Sequence, residues 1–331
     1  MQNLLDPAIL FFVFGVLAGA LRSNLEVPAA ISKFLSLYLL MALGLKGGFA
    51  LAKSGLSTDI ALSLSAAIAM AFLVPALGYA FLRKRIAAFD AAAVAASYGS
   101  VSAVTFVTAM QYLENAGLAF GGHMAVAMVL MESPAIIMAV LLANALRHRP
   151  AQASAGGALA LPSATVGGPS LGKILHESFT DGAHLLLLGA MAVGFLSGES
   201  GKATMQPFSG DLFKGMLAFF LLDMGLLVAR NFQDARKASA VLIAYAALGP
   251  LVHALLALAL GLTLGLPVAD LALLMVLSAS ASYIVVPAVL RYAIPEANPA
   301  LYFGLSLGIT FPLNILIGIP LYTALAQHFG G

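Results

Sequence analysis

Ten apolar stretches of about 20 residues, at roughly 4–22, 29–52, 58–82, 90–111, 121–146, 181–198, 212–230, 238–262, 270–290 and 300–327, leave this chain few folds to choose from. Each is long enough to cross the hydrocarbon core of a bilayer as a helix, and inside that core every backbone N–H and C=O must be bonded within the chain. The expected fold is therefore an all-α integral membrane protein with ten transmembrane helices. Composition agrees: of 331 residues 61% are apolar and 9% charged, against roughly 25% charged in an ordinary soluble domain. A net charge of +2 argues against a nucleic-acid-binding surface, and the absence of cysteine excludes disulfides, thiolate metal sites and thiol nucleophiles. The N-terminal apolar run resembles a signal peptide, but its leading segment has no Lys or Arg and contains Asp6, so it reads as the first span.

Charge sets the expected orientation. If the Arg83-Lys84-Arg85 turn is cytoplasmic, the turns holding Arg22, Arg147, Arg149, Lys173, Arg230, Arg236, Lys237 and Arg291 share that side, and the other keeps Lys53, Lys202 and Lys214. That bias places both termini on the non-cytoplasmic side of a bacterial inner membrane. The long Ala-, Gly-, Ser- and Pro-rich connection 147–180 reads as a flexible cytoplasmic linker between two five-span halves, 1–146 and 181–331.

The halves echo one another. Asp90, Ser100, Ser102 and Tyr112 recur as Asp270, Ser280, Ser282 and Tyr292 at a constant offset of 180, and Leu43-Gly44-Leu45 and Ser133-Pro134 are echoed by Met224-Gly225-Leu226 and Phe311-Pro312. Five spans is an odd number, so the second copy enters the membrane from the opposite side, giving a 5+5 inverted repeat of the kind secondary transporters use.

Residues two apart on a helix point about 200° away from each other, so Ser100/Ser102 and Ser278/Ser280/Ser282 would turn at least one hydroxyl toward lipid. Interrupted helices avoid this, and Gly99 and Pro287 are residue types that permit them. Spans four and nine are thus expected to break near 98–105 and 278–286, with free N–H groups at half-helix N-termini to hold an anion and exposed carbonyls to hold sodium.

These motifs carry a resemblance. LLMALGLKGGFAL (39–51), YGSVSAVT (98–105), ESPAIIMAVLLAN (132–144), GPLVHALLALALG (249–261) and SASASYIVVPAVLRYAIPEANP (278–299) resemble the cyanobacterial sodium-dependent bicarbonate transporters of the SbtA type and their bacterial relatives. The resemblance implies a homotrimer taking up bicarbonate with sodium, with spans one, two, six and seven as scaffold. It also implies a substrate site of Gly99, Ser100, Ser102 and Thr105 with Ser280 and Ser282, to which Ser278 and Tyr283 of the second cluster are added. Control by a PII-like partner is a weaker implication. Tyr283 stands where the cyanobacterial proteins carry an acidic residue, a natural cation ligand. Proton-coupled or uncoupled carriage of another small organic anion therefore remains an alternative, as does a channel-like or signalling membrane protein.

Ionisable residues inside spans are costly and point to function. Glu132, beside Ser133-Pro134, is the leading cation-ligand or proton-carrier candidate, and Thr310 is grouped with it for ion coupling. Lys46 and Asp223 lie near the echoed glycines and are expected to neutralise one another, or else Lys46 replaces a sodium charge or extends to the outer surface. His253 reads as a buried, hydrogen-bonded histidine outside the site. No cofactor is expected. Gly167–Lys173 fits the first places of a phosphate loop, but Ile174 stands where Ser or Thr must bind magnesium, and no metalloprotease or serine-hydrolase motif is present, so enzymatic hydrolysis is not expected.

Overall fold

The computed structural model describes residues 6–54, 58–147, 182–236, 238–283 and 285–331. The expected linker, beyond Arg147, and the phosphate-loop-like segment lie outside the described residues. Among those described there is no strand, and the helices run α1 (Pro7–Ala20), α2 (Ala29–Ser54), α3 (Thr58–Leu82), α4 (Ala88–Gly99), α5 (Ala103–Asn115), α6 (Met124–Arg147), α7 (Gly182–Met205), α8 (Phe213–Arg236), α9 (Ala240–Leu264), α10 (Val268–Ala279), α11 (Val285–Ala293) and α12 (Pro299–Gly330). Local chemistry sets several of these ends. Asp6 caps α1 through Oδ1 to Ala8 N at 2.8 Å with Pro7 in the first turn, and Asn298 caps α12 in the same way, at 3.0 Å, ahead of Pro299. Gly265 closes α9 in the left-handed region at φ 68°.

Seven helical stretches among the described residues are long and apolar enough to cross a membrane, and α1 and α10 are shorter apolar helices. The count differs from the expected ten because helix ends fall inside the apolar runs. The expected span 4–22 narrows to α1, the span 270–290 is divided between α10 and α11, and the expected spans 181–198 and 212–230 join in one run, Leu185–Phe232. That run is not straight. Gly198, at φ 56° and ψ −143°, breaks the helical geometry of α7, and Gln206–Asp211 is a wide π turn leading into α8.

Packing sorts the helices into two groups. α7 lies against α2 and α8 against α1, while α3, α4, α6, α9, α10 and α12 form a second body to which α5 and α11 belong. The first group is closed by glycine. A Cβ on Gly225 would stand 2.2 Å from Phe12 O, 2.8 Å from Val16 N and 3.0 Å from Gly15 Cα; one on Gly48 would meet Met191 O at 2.1 Å, Phe195 N at 2.7 Å and Gly194 Cα at 2.9 Å. Close backbone approach through small residues is how helices gain contact where lipid removes the hydrophobic drive. The two sets of contacts correspond atom by atom: a carbonyl O, the glycine Cα three residues on and the N four residues on. Gly44, the expected counterpart of Gly225, makes the same kind of approach one turn earlier, where a Cβ would stand 2.4 Å from Leu187 O, 2.8 Å from Ala190 Cβ and 3.1 Å from Met191 N.

The second body is tied at its ends by carboxylates. Asp90 Oδ1, in the first turn of α4, accepts from Asn298 N at 2.8 Å, and Asp270 Oδ1, in the first turn of α10, accepts from Gly121 N at 2.7 Å. Arg147, ending α6, donates to both Glu296 oxygens, at 2.8 and 2.7 Å, and these bonds hold the Glu296 carboxyl below its usual range. The tie is therefore complete near neutrality and is lost as pH falls through that lowered value.

Gly48→Val and Gly225→Val are each expected to lower the melting temperature in detergent by several degrees, in line with about 1–3 kcal/mol for overpacking. Gly189→Ala and Gly215→Ala, where a Cβ meets nothing within 4 Å, are expected to leave it unchanged. Glu296→Gln should cost no more than about 1 kcal/mol at pH 7, as for other exposed pairs, and nothing measurable in acid once the carboxyl is protonated.

Candidate functional site

The first break begins where α4 meets α3. A Cβ on Gly99 would stand 2.6–2.8 Å from the ring atoms of Pro75, so only glycine lets the end of α4 press against that ring. Ser100 then turns extended, at φ −97° and ψ −177°, and Ser102, at φ −107° and ψ 110°, starts α5 by accepting Thr105 N on Oγ at 3.2 Å. The second break repeats these roles. Ser280, at φ −83° and ψ 169°, ends α10, and Ser282 Oγ accepts Val286 N at 3.3 Å in the first turn of α11. Among the described residues the interruptions fall at 100–102 and 280–283, inside the expected 98–105 and 278–286.

The breaks bond to one another. Ser102 N donates to Ser280 Oγ at 3.0 Å, and that hydroxyl donates onward to Leu277 O at 2.8 Å. In the opposite sense, Ser282 N donates to Ser97 O at 2.8 Å, while Ser97 Oγ donates to Ser282 O at 2.6 Å and lies 3.2 Å from Ser306 Oγ. Asn314 Nδ2 holds Ala279 O at 2.8 Å, and Tyr322 OH in turn donates to Asn314 Oδ1 at 3.1 Å. Three buried hydroxyl oxygens at or beside the breaks, Ser100 Oγ, Thr105 Oγ1 and Ser278 Oγ, have no protein partner. Such atoms call for a ligand or water, because leaving them bare costs about 1–3 kcal/mol each.

Beside the crossing lies a cavity of about 70 Å³, room for a few waters or one small anion. Ser102 and Val104 line it from the first break, Ser282 and Tyr283 from the second, Glu132 from α6 and Ser36 from α2. Ala103 and Val104 on its wall are the first residues of α5, whose opening N–H groups have no carbonyl of their own helix to bond and form the positive end of its dipole. The buried Tyr283 turns its hydroxyl to Met224 Sδ on α8, 3.8 Å away, and its ring meets Phe311 edge-on at 5.4 Å. Among the described residues no three His, Cys, Asp or Glu converge, so a cation here would be held largely by hydroxyl and carbonyl oxygen.

Of the expected site residues, Ser102, Ser282, Tyr283 and Glu132 thus meet at the cavity, and Gly99, Ser100, Thr105, Ser278 and Ser280 sit in or next to the breaks. Lys46, Asp223 and Thr310 line other places. Lys46 does not meet Asp223: its Nζ donates to Glu114 Oε1 and Oε2 at 3.0 and 3.1 Å and stands 4.1 Å over the Phe213 ring, whereas Asp223 accepts from Ser32 Oγ. Residue 46 falls late enough on α2 for its long side chain to reach the far end of α5, out of range of the middle of α8. The Thr310 hydroxyl donates to Ala246 O at 2.8 Å and accepts from Tyr98 OH at 2.6 Å, away from the cavity wall. His253 is buried against Tyr98 and Tyr245, but its Nδ1 has no hydrogen-bond partner, contrary to the expectation of a bonded histidine.

Ser97 and Ser306 join the crossing unforeseen, Ser36 stands on the cavity wall, and Glu114 pairs with Lys46 at the far end of α5. Ser97 faces Leu277 at the repeat offset, and Glu114 lies beyond the expected end of its span, so neither repetition nor burial cost marked them. No curated protein matches the chain. Residues 7–327 match the family model of the Na+-dependent bicarbonate transporter superfamily, and by that nearly complete match the chain belongs to this superfamily.

Proposed function

We propose that the protein is a secondary transporter that couples uptake of bicarbonate, or a similar small monoanion, to sodium by alternating access. The observation that carries this reading is the pair of helix breaks bonded to each other beside a small cavity, with the first turn of α5 and serine hydroxyls on its wall. Backbone N–H groups, hydroxyls and a helix dipole suit a small anion, and Glu132 with break carbonyls suits a sodium ion. Ten spans in a 5+5 inverted repeat give the scheme its symmetry. That arrangement is supported by the matched contacts of Gly48 and Gly225, by the matched ties of Asp90 and Asp270, and by the shared roles of Ser100/Ser280 and Ser102/Ser282. α1, α2, α7 and α8 serve as scaffold, and the body holding the breaks moves against them. The Arg- and Lys-rich turns lie in the cytoplasm of a bacterial cell, and both termini lie across the inner membrane from them.

Proton-coupled or uncoupled carriage of another small organic anion is the second reading. It is favoured by Tyr283, which brings a phenol and no carboxylate to the cavity.

Purified protein in proteoliposomes is expected to take up radiolabelled bicarbonate faster under an inward sodium gradient than under a proton gradient. Ser280→Ala, which strands Ser102 N inside the membrane, should lower the rate at least about tenfold, the order of effect when a buried donor loses its acceptor. Uptake driven by protons alone, or of carboxylates in preference to bicarbonate, selects the second reading. Tyr283→Asp is expected to steepen the sodium dependence and lower the half-saturating sodium concentration, measured in the same vesicles.

A further inference from the structure

The transporter reading raises the question of where the solute enters, and one helix joins the break to open water. α5 starts at the first break, and Thr105, Thr108 and Gln111 follow at intervals of three along it, one face of a helix. All three are buried, and both Thr105 Oγ1 and Gln111 Oε1 lack a partner. Thr108, Gln111 and Asn115 border a second small space, closed on its other sides by Asp6, Ala8 and Ile9 of the α1 end and by Leu217 of α8. Beyond the end of α5 opens a vestibule of about 1130 Å³, whose walls include Lys46, Lys53, Lys202 and Lys214 as well as Gln111 and Glu114.

Polar bonds close the seam at that end. Lys46 of α2 donates to Glu114 at 3.0 Å, Lys214 of α8 donates to Asn115 Oδ1 at 3.0 Å, and Asn115 Nδ2 donates to Asp6 Oδ2 at 3.0 Å. Gln111 Nε2, at 2.9 Å, fixes the same Asn115 oxygen. Each of the first three bonds runs from the last turn of α5, in the body that holds the breaks, to the α1, α2, α7 and α8 group. We propose that the polar face Thr105–Thr108–Gln111 is the solute path between vestibule and breaks, and that Lys46–Glu114 with the Asn115 node is its gate. This rests on the transporter reading. The path is closed in the present structure and opens when α5 draws away from α2 and α8. Lys46, exchanging Glu114 for the passing solute, supplies the positive charge an anion needs at that constriction.

The chain has no cysteine, so one introduced thiol reports cleanly. Thr108→Cys on α5 and Ala8→Cys on α1, both lining the closed seam, are made separately in the full chain and treated in vesicles with a membrane-impermeant maleimide. Labelling is expected to be slow in either background and at least about tenfold faster when Glu114→Gln and Asn115→Ala are added, since loss of the cross-seam bonds shifts the population toward the open form. Exchanging the charges, Lys46→Glu with Glu114→Lys, should restore slow labelling. Rates that stay within about twofold across these variants, in protein that still elutes as a single species, overturn the gate. Labelling needs no substrate, so it reads the gate even if anion uptake fails; fast labelling without uptake of any anion would count against the transporter reading alone.

Discussion

A helix that stops in the middle of a membrane leaves N–H and C=O groups with no water to turn to, and each would cost several kcal/mol if left bare in hydrocarbon. This chain breaks two helices and lets each break supply the other. Ser102 N finds Ser280 Oγ, Ser282 N finds Ser97 O, and Ser97 Oγ returns a bond to Ser282 O. Neither interruption would be tolerable alone, so α4 with α5 and α10 with α11 must cross at this level. The packing of α3, α6, α9 and α12 around them follows, as do Pro75 against Gly99 and Asn314 against Ala279 O.

The crossing is not symmetric in detail. Ser102 N is satisfied by a hydroxyl of the opposite break, whereas Ser282 N takes a carbonyl from α4, which leaves Ser100 Oγ idle. Two chemically similar serine sets thus occupy two different bonding states. The contacts of Gly15 with Gly225 and of Gly194 with Gly48, by contrast, are nearly interchangeable. Closely matched contacts thus join α1 to α8 and α2 to α7, and unmatched hydrogen bonds join the breaks.

Features that depend on a residue's own chemistry were legible in the sequence. Serines spaced by two inside apolar runs located both breaks to within a few residues, because a continuous helix could not have buried all their hydroxyls. Features that depend on register or reach were not. Gly44, Gly47 and Gly48 look alike in sequence, and only the helix crossing sets Gly48, like Gly225, against a glycine Cα of the facing helix. Lys46 and Asp223 carry opposite charges near similar glycines, yet a lysine is long and its partner was Glu114, a residue that reads as part of a turn. The joining of α7 to α8 depends on the π turn at Gln206–Asp211, for which apolar periodicity has no signature.

The glycine contacts also say something about how the chain must be made. α1 is made long before the surface it packs on, which belongs to α8, at Phe213–Arg236, and α2 likewise waits for α7. At about 5–20 residues per second, a ribosome leaves α1 without its partner for at least roughly ten seconds. During that wait its glycine notch faces lipid, which it can do at little cost because no polar group is exposed there. Each half of the chain therefore contributes two helices to a body that cannot close until the other half arrives, so an arrested or truncated chain would hold inserted helices but neither finished bundle.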